Sequence, residues 1–422
     1  MAGIGGAKPL YGYIDAIRVE ILEQRNPMTG KAYGELRPPE RLLLGAGPSN
    51  VDPRVLKALI SPIVAHLDPY FLEVMDEAVE LLRYTFQTKN HITFPISGTG
   101  SAGMESAICN VVERGDEAIV CVNGFFGERM KEMVLRCGGK PITVEAEWGN
   151  IIAKEDVEKA LSESDAEVVT MVHAETSTGI LQPLEEISRL VHQYDALLVV
   201  DAVTSLGGCE LSVDEYDIDL CYSASQKCLN CPPGLAPISA SVKTMERIRN
   251  RETKVQSWYL DLSTIEKYWL ENNRIYHHTA PILLVYALRE SLRLLYEEGL
   301  EERWRRHEKN SKALIKGVEA LGLKMHAGKE HRCPAINAIR VPEGIEDQKV
   351  RGTLREEFNI TVSGGLGKLK GQLWRIGLMG INSSERNVIL VLEALERALK
   401  KEGYPAKLGS GVAAAMDTMS SN

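Results

Sequence analysis

Residues 217–234 read DIDLCYSASQKCLNCPPG, and the rest of the chain is organised around this stretch. A short apolar run ends in small hydroxyl residues, a lysine and a proline-proline-glycine turn. This pattern predicts a strand that delivers Lys227 to a loop and holds it there. Most lysines are solvated surface charges, so Lys227 alone does not indicate chemistry. Its interpretation depends on the residues that accompany it.

Two other segments supply the residues that are expected to accompany Lys227. Residues 197–201 (LLVVD) predict a buried strand that ends at Asp201, and the carboxyl edge of a parallel sheet is where open α/β folds bind ligands. Residues 96–108 (ISGTGSAGMESAI) predict a glycine- and hydroxyl-rich turn that runs into a helix, where free N–H groups bind phosphate. A lysine amine, an acid for a pyridinium nitrogen and an anion site together are what pyridoxal phosphate requires.

The chain resembles the class V aminotransferases, which are fold-type I pyridoxal-phosphate enzymes, and among them the alanine-glyoxylate (serine-pyruvate) group. The resemblance implies an α/β fold whose large domain holds a mainly parallel sheet of the seven-stranded type between helices, with a smaller C-terminal α/β domain. The matching segments occur in family order and are residues 42–50, 86–90, 97–105, 173–183, 199–208, 222–234, 276–281, 288–292 and 373–380.

The resemblance assigns roles to residues around the cofactor, pyridoxal 5'-phosphate. Lys227 carries it as a Schiff base and moves the substrate proton, and Asp201 keeps the ring nitrogen protonated. Phe126 stacks on the ring, where close relatives often have tryptophan. Some members have histidine in place of Ser101, which suggests a different local phosphate contact here. The full cofactor set is Thr99, Gly100, Ser101, Phe126, Thr176, Asp201, Val203, Gln226, Lys227 and, across a homodimer interface, Tyr276 and Thr279.

Arg375 is the candidate for binding the substrate. It interrupts an apolar strand, and a buried guanidinium needs a partner. The residue pattern alone leaves two interpretations open, a structural ion pair and a carboxylate site, and the resemblance favours the substrate α-carboxylate. The resemblance also places the loop of Gly47, Ser49 and Asn50 over the substrate.

The function implied by the resemblance is ping-pong transamination of alanine or serine with glyoxylate, giving glycine and pyruvate or hydroxypyruvate. Three alternatives stay open. One is a transaminase directed at ureidoglycine or a phosphonate, and another is a cysteine desulfurase-like lyase, for which Cys333 is the only loop candidate. The third is a nucleotide-binding or scaffolding α/β protein, although no GxxxxGK[ST] motif is present.

Composition limits the partners and the compartment. The net charge of -9 disfavours nucleic acid and anionic membranes. No apolar run approaches the length of about 18 residues needed to span a bilayer, and residues 1–10 lack a signal-peptide core or an Arg-rich transit pattern. We therefore expect a cytosolic protein. Its eight cysteines are expected to be reduced core residues, and no metal site is predicted from Cys228-x-x-Cys231 or from His277 and His278.

The 422 residues divide into four predicted segments, and the 44% hydrophobic content is sufficient for two cores. Residues 1–40 predict an arm with one amphipathic helix near 13–24. The large cofactor-binding domain is expected at 41–300 and the small domain at 301–405. A helical pattern over 279–321 is broken at Gly299. The small and polar residues at 406–422 predict a disordered tail.

Overall fold

A computed structural model describes residues 28–29, 31 and 33–421 of the chain. Its strands are β1 (Leu42–Leu43), β2 (Ile92–Ser97), β3 (Glu117–Val122), β4 (Lys140–Glu145), β5 (Val168–Val172), β6 (Ala174–Glu175), β7 (Ile180–Leu181), β8 (Leu197–Asp201), β9 (Leu220–Tyr222), β10 (Leu235–Ala240), β11 (Ile336–Arg340), β12 (Ile360–Thr361), β13 (Ser363–Gly364) and β14 (Leu373–Gly377).

The main sheet has seven strands in the order β2-β10-β9-β8-β5-β3-β4. Only β10 runs antiparallel to its neighbours, so the sheet is mainly parallel as predicted. Every residue of β5 and β8 is buried, because helices cover both faces of a parallel sheet. The strands that end at Asp201 and Tyr222 lie next to each other, with these two residues as register partners. The predicted α/β class is confirmed.

The α-helices are α1 (Pro53–Ala58), α2 (Pro69–Phe86), α3 (Gly100–Val111), α4 (Phe125–Arg136), α5 (Lys154–Ser162), α6 (Glu185–Gln193), α7 (Val242–Arg249), α8 (Leu262–Trp269), α9 (Ile282–Glu298), α10 (Leu300–Ala320), α11 (Asp347–Phe358), α12 (Glu385–Lys401) and α13 (Ser410–Ser420). The break predicted at Gly299 is present, since this residue joins α9 to α10 with φ of +83°. A positive φ is a conformation that glycine adopts at little cost.

Two large hydrophobic cores organise residues 42–421. The first surrounds the seven-stranded sheet and includes buried side chains from Val55 to Leu300. The second packs α10 to α13 against the small sheet β11-β14-β13 and includes Leu44. Leu44 belongs there because β1 pairs with β12. The predicted domain limits, 41–300 and 301–405, remain a prediction.

The prediction of a disordered tail at 406–422 is wrong. Residues 410–420 form α13, which packs against α10 and α12. Glycines allow this close approach, since a Cβ at Gly317 would lie 2.8 Å from the carbonyl oxygen of Gly411. The buried carboxylate of Glu396 accepts hydrogen bonds from the N–H groups of Gly411 (2.9 Å) and Val412 (3.3 Å), and so caps the helix start. Small residues here mark tight packing rather than disorder.

Several other expectations have mixed outcomes. The helix predicted at 13–24 lies outside the described residues. All eight cysteines are free and buried, as expected of core residues. Within the described part of the chain, no helix combines the length and apolarity needed to cross a bilayer. The cytosolic location and the absence of a nucleic-acid partner stay predictions.

Candidate active site

Lys227 lies in the turn that follows β9 and is buried, with 9% of its surface exposed. Its Nζ donates a hydrogen bond to the carbonyl oxygen of Ala46. Gly47 packs against the lysine: it has φ of +98°, and a Cβ there would lie 2.6 Å from Lys227 Cδ. Burial, assisted by the positive charge of Arg375, lowers the pKa of Lys227 to about 8. The lysine is therefore much closer to losing its proton at neutral pH than a surface lysine.

The loop predicted to lie over the substrate also contacts the lysine turn. Ser49 Oγ donates to the carbonyl oxygen of Lys227 at 2.8 Å, and its N–H donates to that of Gln226 at 2.9 Å. The Asn50 Oδ1 atom accepts from the N–H of Leu43 at 2.8 Å. The two Ser49 bonds hold the backbone of the turn at Gln226 and Lys227. A contact of Ser49 or Asn50 with substrate stays a prediction.

Asp201 lies at the carboxyl end of β8, and it is buried. Its Oδ1 accepts from the N–H of Val203 and its Oδ2 accepts from the hydroxyl of Tyr222, both at 2.8 Å. Burial raises the pKa of Asp201 to about 6, although both hydrogen bonds act in the opposite direction. Each carboxylate oxygen has a second lone pair, so the group can still accept a hydrogen bond from a ligand.

A cavity of about 220 Å³ lies between Lys227 and Asp201. Eight predicted cofactor residues line it, and Thr99 lies just outside it as the N-cap residue of α3. The cavity therefore brings together the lysine, the acid and the phosphate turn that the sequence separates. The lining residues are Gly100, Ser101, Met104, Phe126, Arg129, Val172, Ala174, Thr176, Asp201, Val203, Thr204, Gln226 and Lys227.

The anion end of the cavity is formed by the start of α3. A Cβ at Gly100 would lie 2.8 Å from the Cβ of Ala224, so the close approach of helix and lysine turn requires a glycine there. Arg129 points its Nη1 at Ser101 Oγ, 3.2 Å away. Gln226 Oε1 is buried and has no hydrogen-bond partner among the described residues. A helix N-terminus and a guanidinium suit a phosphate group. The unpaired Gln226 oxygen is an acceptor, so it suits a donor and not a phosphate oxygen.

The wall of the cavity that contains the Phe126 ring is held in place by the buried carboxylate of Glu175. Glu175 accepts from the N–H of Phe126 at 3.0 Å, and from the N–H and Oγ of Ser177 at 3.0 and 2.6 Å. These bonds tie the start of α4 to the turn that carries Thr176. The guanidinium of Arg129 lies 4.9 Å from the centroid of the Phe126 ring. The aromatic platform and the residue predicted to contact the 3-oxygen are thus fixed to each other.

Arg375 lies in β14, and only 5% of its surface is exposed. Nε donates to the carbonyl oxygen of Gly364 at 2.8 Å, and Nη1 donates to that of Thr176 at 3.1 Å. Within the described part of the chain it forms no ion pair with a carboxylate. Burial lowers the pKa of Arg375 to about 10. A buried cation that lacks an anionic partner is suited to an anionic ligand.

Tyr276 and Thr279 do not line this cavity. The hydroxyl of Tyr276 lies 3.4 Å from Thr279 Oγ1, and 55% of the tyrosine surface is exposed. Its ring packs against His66, with centroids 5.0 Å apart. The predicted role of this pair at the phosphate of a second subunit stays a prediction.

The residues around the cavity fit pyridoxal phosphate. They provide a buried amine of lowered pKa, a buried acid with a free lone pair, an aromatic wall and a phosphate cup formed by a helix N-terminus and Arg129. Each of these groups suits one part of the cofactor.

Three residues of this site were missed in the sequence: Arg129, Glu175 and Tyr222. Arg129 follows Phe126 by three positions, the spacing of one helix face, which was a usable signal. Glu175 lies in a stretch rich in hydroxyl residues, and nothing in that local pattern marks it as buried. Tyr222 meets Asp201 through strand pairing, and no sequence spacing shows that.

Comparisons with known proteins agree with this site. The family model described as "Aminotransferase class-V" matches residues 42–381. A (S)-ureidoglycine–glyoxylate transaminase of Bacillus subtilis is 38% identical over 91% of this chain and 96% of its own length. An alanine–glyoxylate aminotransferase of Rattus norvegicus is 40% identical over 86% of this chain and 88% of its own length.

Solved structures give the same result. Alanine–glyoxylate aminotransferase from Nostoc sp. superposes with a TM-score of 0.87 at 45% identity, covering 89% of this chain and all of that one. The Bacillus subtilis ureidoglycine–glyoxylate aminotransferase superposes with a TM-score of 0.90 at 39% identity, covering 92% of this chain and all of that one. The chain belongs to the class-V aminotransferase family, and its cofactor is pyridoxal 5'-phosphate.

Proposed function

We propose that this protein transfers the amino group of alanine or serine to glyoxylate, in two half-reactions that form pyruvate or hydroxypyruvate and then glycine. The observation that carries the proposal is Arg375, a buried cation whose charge acts on Lys227 and which has no carboxylate partner among the described residues. A substrate that bears an α-carboxylate supplies that partner. Relatives of both kinds named above use glyoxylate as one substrate.

Each residue has a defined task in this proposal. When bound, the cofactor supplies an electron sink for the carbanion at the substrate Cα. Lys227 Nζ takes the proton from Cα and returns it, a role that suits its lowered pKa. Asp201 accepts a hydrogen bond from the ring nitrogen. Arg375 binds the α-carboxylate and so orients the bond that loses its proton.

The phosphate is held by Gly100, Ser101, Gln226 and Arg129, of which Arg129 supplies the positive charge. Phe126 stacks on the ring, and Thr176 bonds its 3-oxygen.

A homodimer is part of the proposal, with Tyr276 and Thr279 acting at the phosphate of the other subunit. Two large apolar side chains are exposed near this pair: Trp258, which stacks on His277, and Ile275, which precedes Tyr276 in the chain. Exposed apolar clusters of this kind support a contact with a second copy. A monomeric mass for the active enzyme by light scattering would contradict it.

The cysteine desulfurase alternative lacks a suitable thiol. Cys333 is fully buried, and its Sγ lies 3.6 Å from Cys209 Sγ in a packed cluster. A sulfur-transferring cysteine has to reach the substrate from an accessible position. Cys333 is held in the interior and does not meet this requirement.

Ureidoglycine remains the second candidate donor. The relative with that activity matches this chain over a larger share than the Rattus norvegicus enzyme does. Arg375 serves either donor, because both carry an α-carboxylate.

A donor panel separates the two functions. Purified enzyme is given glyoxylate and equal concentrations of L-alanine, L-serine or ureidoglycine, and kcat/KM for glycine formation is measured by mass spectrometry with ¹⁵N-labelled donors. We expect ¹⁵N-glycine to form from alanine and from serine, each with a larger kcat/KM than ureidoglycine gives. A kcat/KM for ureidoglycine that exceeds both would replace the proposed donor, and no ¹⁵N-glycine from any donor would overturn the proposal.

A further inference from the structure

Tyr222 is placed to act on the cofactor through Asp201. It is fully buried at the end of β9, and it is the register partner of Asp201 on β8. Its hydroxyl donates to Asp201 Oδ2 at 2.8 Å. Because both residues are on paired central strands, their distance is set by the sheet and not by a flexible loop.

The hydrogen bonds of the carboxylate show what the phenol contributes. Asp201 is taken out of water, and burial alone favours its neutral form. Two donors oppose that effect, the N–H of Val203 on Oδ1 and the phenol on Oδ2. The Val203 donor is backbone and stays in any variant. Tyr222 is therefore the only side chain among the described residues that donates to this carboxylate.

The phenol keeps its proton under all working conditions. Burial and the neighbouring Asp201 charge raise the pKa of Tyr222 well above its ordinary value. Tyr222 therefore donates to Asp201 throughout the pH range in which Lys227 and Asp201 titrate.

A donor on one carboxylate oxygen changes the basicity of the whole group. A carboxylate that already accepts a hydrogen bond is a weaker base, so it competes less for a proton shared with another ligand. On the proposed function, that ligand is the pyridine nitrogen of the cofactor. We propose that Tyr222 is a positioning residue that keeps Asp201 oriented and weakly basic, so that the shared proton stays on the cofactor nitrogen.

Tyr222 also has a packing role, and the test has to separate the two. Its ring lies against α3, where a Cβ at Gly103 would come within 3.5 Å of Tyr222 Cδ2. Tyr222→Phe keeps the ring and removes only the hydroxyl. Tyr404→Phe is the matched control, because Tyr404 donates one hydrogen bond to the carbonyl oxygen of Leu321 at 3.2 Å, in the second core.

The direct readout is the ¹⁵N chemical shift of the ring nitrogen in full-length enzyme reconstituted with ring-¹⁵N pyridoxal phosphate. We expect the wild type and Tyr404→Phe to show the shift of a protonated ring nitrogen. Tyr222→Phe is expected to move toward the unprotonated value. It is also expected to slow the half-reaction with α-deuterated L-alanine by about ten-fold, the size of one hydrogen bond to a charged group. An unchanged shift together with an unchanged rate would show that Tyr222 is only a packing residue.

A second variant protects the test if Tyr222→Phe does not fold. Tyr222→3-fluorotyrosine keeps the hydroxyl and makes it a stronger donor, so the ring nitrogen is expected to be at least as protonated as in the wild type, with no loss of rate. A shift toward the unprotonated value would overturn the proposal. The nitrogen shift is recorded without any amino donor. If wild-type enzyme binds cofactor but reacts with no donor, the proposed function fails while this readout still tests Tyr222.

Discussion

Arg303 and Arg375 are buried to nearly the same extent, with 4% and 5% of their surface exposed, but their partners differ. Arg303 forms an ion pair with Glu298 at 2.6 Å. It also donates to the carbonyl oxygens of Gly207 and Cys228, at 2.9 and 2.6 Å. Arg375 donates only to two carbonyl oxygens and forms no ion pair within the described residues, although the charge of the buried Glu175 acts on it from a longer distance.

Both arginines act on the lysine turn. Arg303 holds the turn through the carbonyl of Cys228, next to Lys227, and the charge of Arg375 acts on Lys227 itself. Burial lowers the pKa of both guanidinium groups. Burial and a shifted pKa therefore do not separate a structural arginine from a ligand-binding one. What separates them is the ion pair with a carboxylate, which Arg303 forms and Arg375 does not.

The largest expected effect is at the lysine between them. Lys227→Ala removes both the covalent attachment and the acid-base group, so turnover is expected to fall by about 10⁴-fold, the upper end for acid-base catalysis alone. Cofactor is still expected to bind through the phosphate cup, which absorbance after gel filtration measures. Lys243→Ala, a surface lysine paired with Asp195, is the control. Normal turnover in Lys227→Ala would refute the assignment of the active site.

Arg303→Met tests the structural side of the comparison. The change removes the donor to the carbonyl oxygens of Gly207 and Cys228, and it removes the ion pair between Arg303 and Glu298. The free energy of unfolding is therefore expected to drop by about 3 kcal/mol. Urea unfolding of the apo-protein measures it. Arg305→Met, an exposed arginine on the same helix, is expected to cost less than about 1 kcal/mol. Equal free energies of unfolding for Arg303→Met and Arg305→Met would contradict a structural role for Arg303.

Arg375→Gln tests the ligand-binding side. Because the substrate carboxylate loses a charged partner, kcat/KM for L-alanine is expected to fall by about 10²-fold. The apo-protein is expected to lose less stability than Arg303→Met does, because the removal of a desolvated cation offsets the lost donors to the carbonyl oxygens of Gly364 and Thr176. Arg340→Gln, on the exposed end of β11, serves as control. A large loss of stability with unchanged kcat/KM would make Arg375 a second structural arginine.

Arg129→Gln extends the comparison to a third arginine. If Arg129 binds the phosphate, the affinity of the apo-protein for pyridoxal phosphate is expected to fall by about ten-fold, and that for pyridoxal is expected to stay unchanged. Fluorescence titration measures both constants. Arg136→Gln, on the exposed part of the same helix, is the control. An equal loss for both ligands would place Arg129 at the ring or in the fold, away from the phosphate.

The smallest expected effect is on pH dependence. The pKa of Lys227 is lowered to about 8, so the fraction of free amine, and with it the rate of cofactor uptake, rises with pH, has its midpoint near pH 8 and levels off roughly one to two pH units higher. Arg375→Gln removes a charge that lowers this pKa, and its midpoint is expected to move to higher pH. Stopped-flow absorbance measures the profiles. A midpoint that is the same in both proteins would show that the charge of Arg375 does not affect the pKa of Lys227.

The sequence was sufficient to predict the elements with strong local patterns. The strand at 197–201 follows from its apolar run, and the helix break at Gly299 follows from its glycine. β10 was not predicted, because Pro237 argues against a central strand, yet it pairs with Pro95 of β2. Helix α13 was missed because its contacts with Gly317 and Glu396 are distant in sequence.

The same division applies to the site. Lys227, Asp201 and residues 99–101 end or begin elements, so their positions were readable, and they do line or border one cavity. The bond from Tyr222 to Asp201 depends on strand pairing, and the bonds of Glu175 depend on how α4 meets the turn after β6. Tertiary packing creates these contacts, and no single-sequence pattern encodes them.

The most direct test is the visible absorption spectrum of the purified protein, recorded alone, after L-alanine without an acceptor, and then after glyoxylate. We expect a cofactor band that fades with alanine and returns with glyoxylate, which would show both half-reactions on one sample. A protein that takes up pyridoxal phosphate but whose band is unaffected by alanine, serine and ureidoglycine would contradict the proposed transamination. A protein that takes up no pyridoxal phosphate would contradict the site itself.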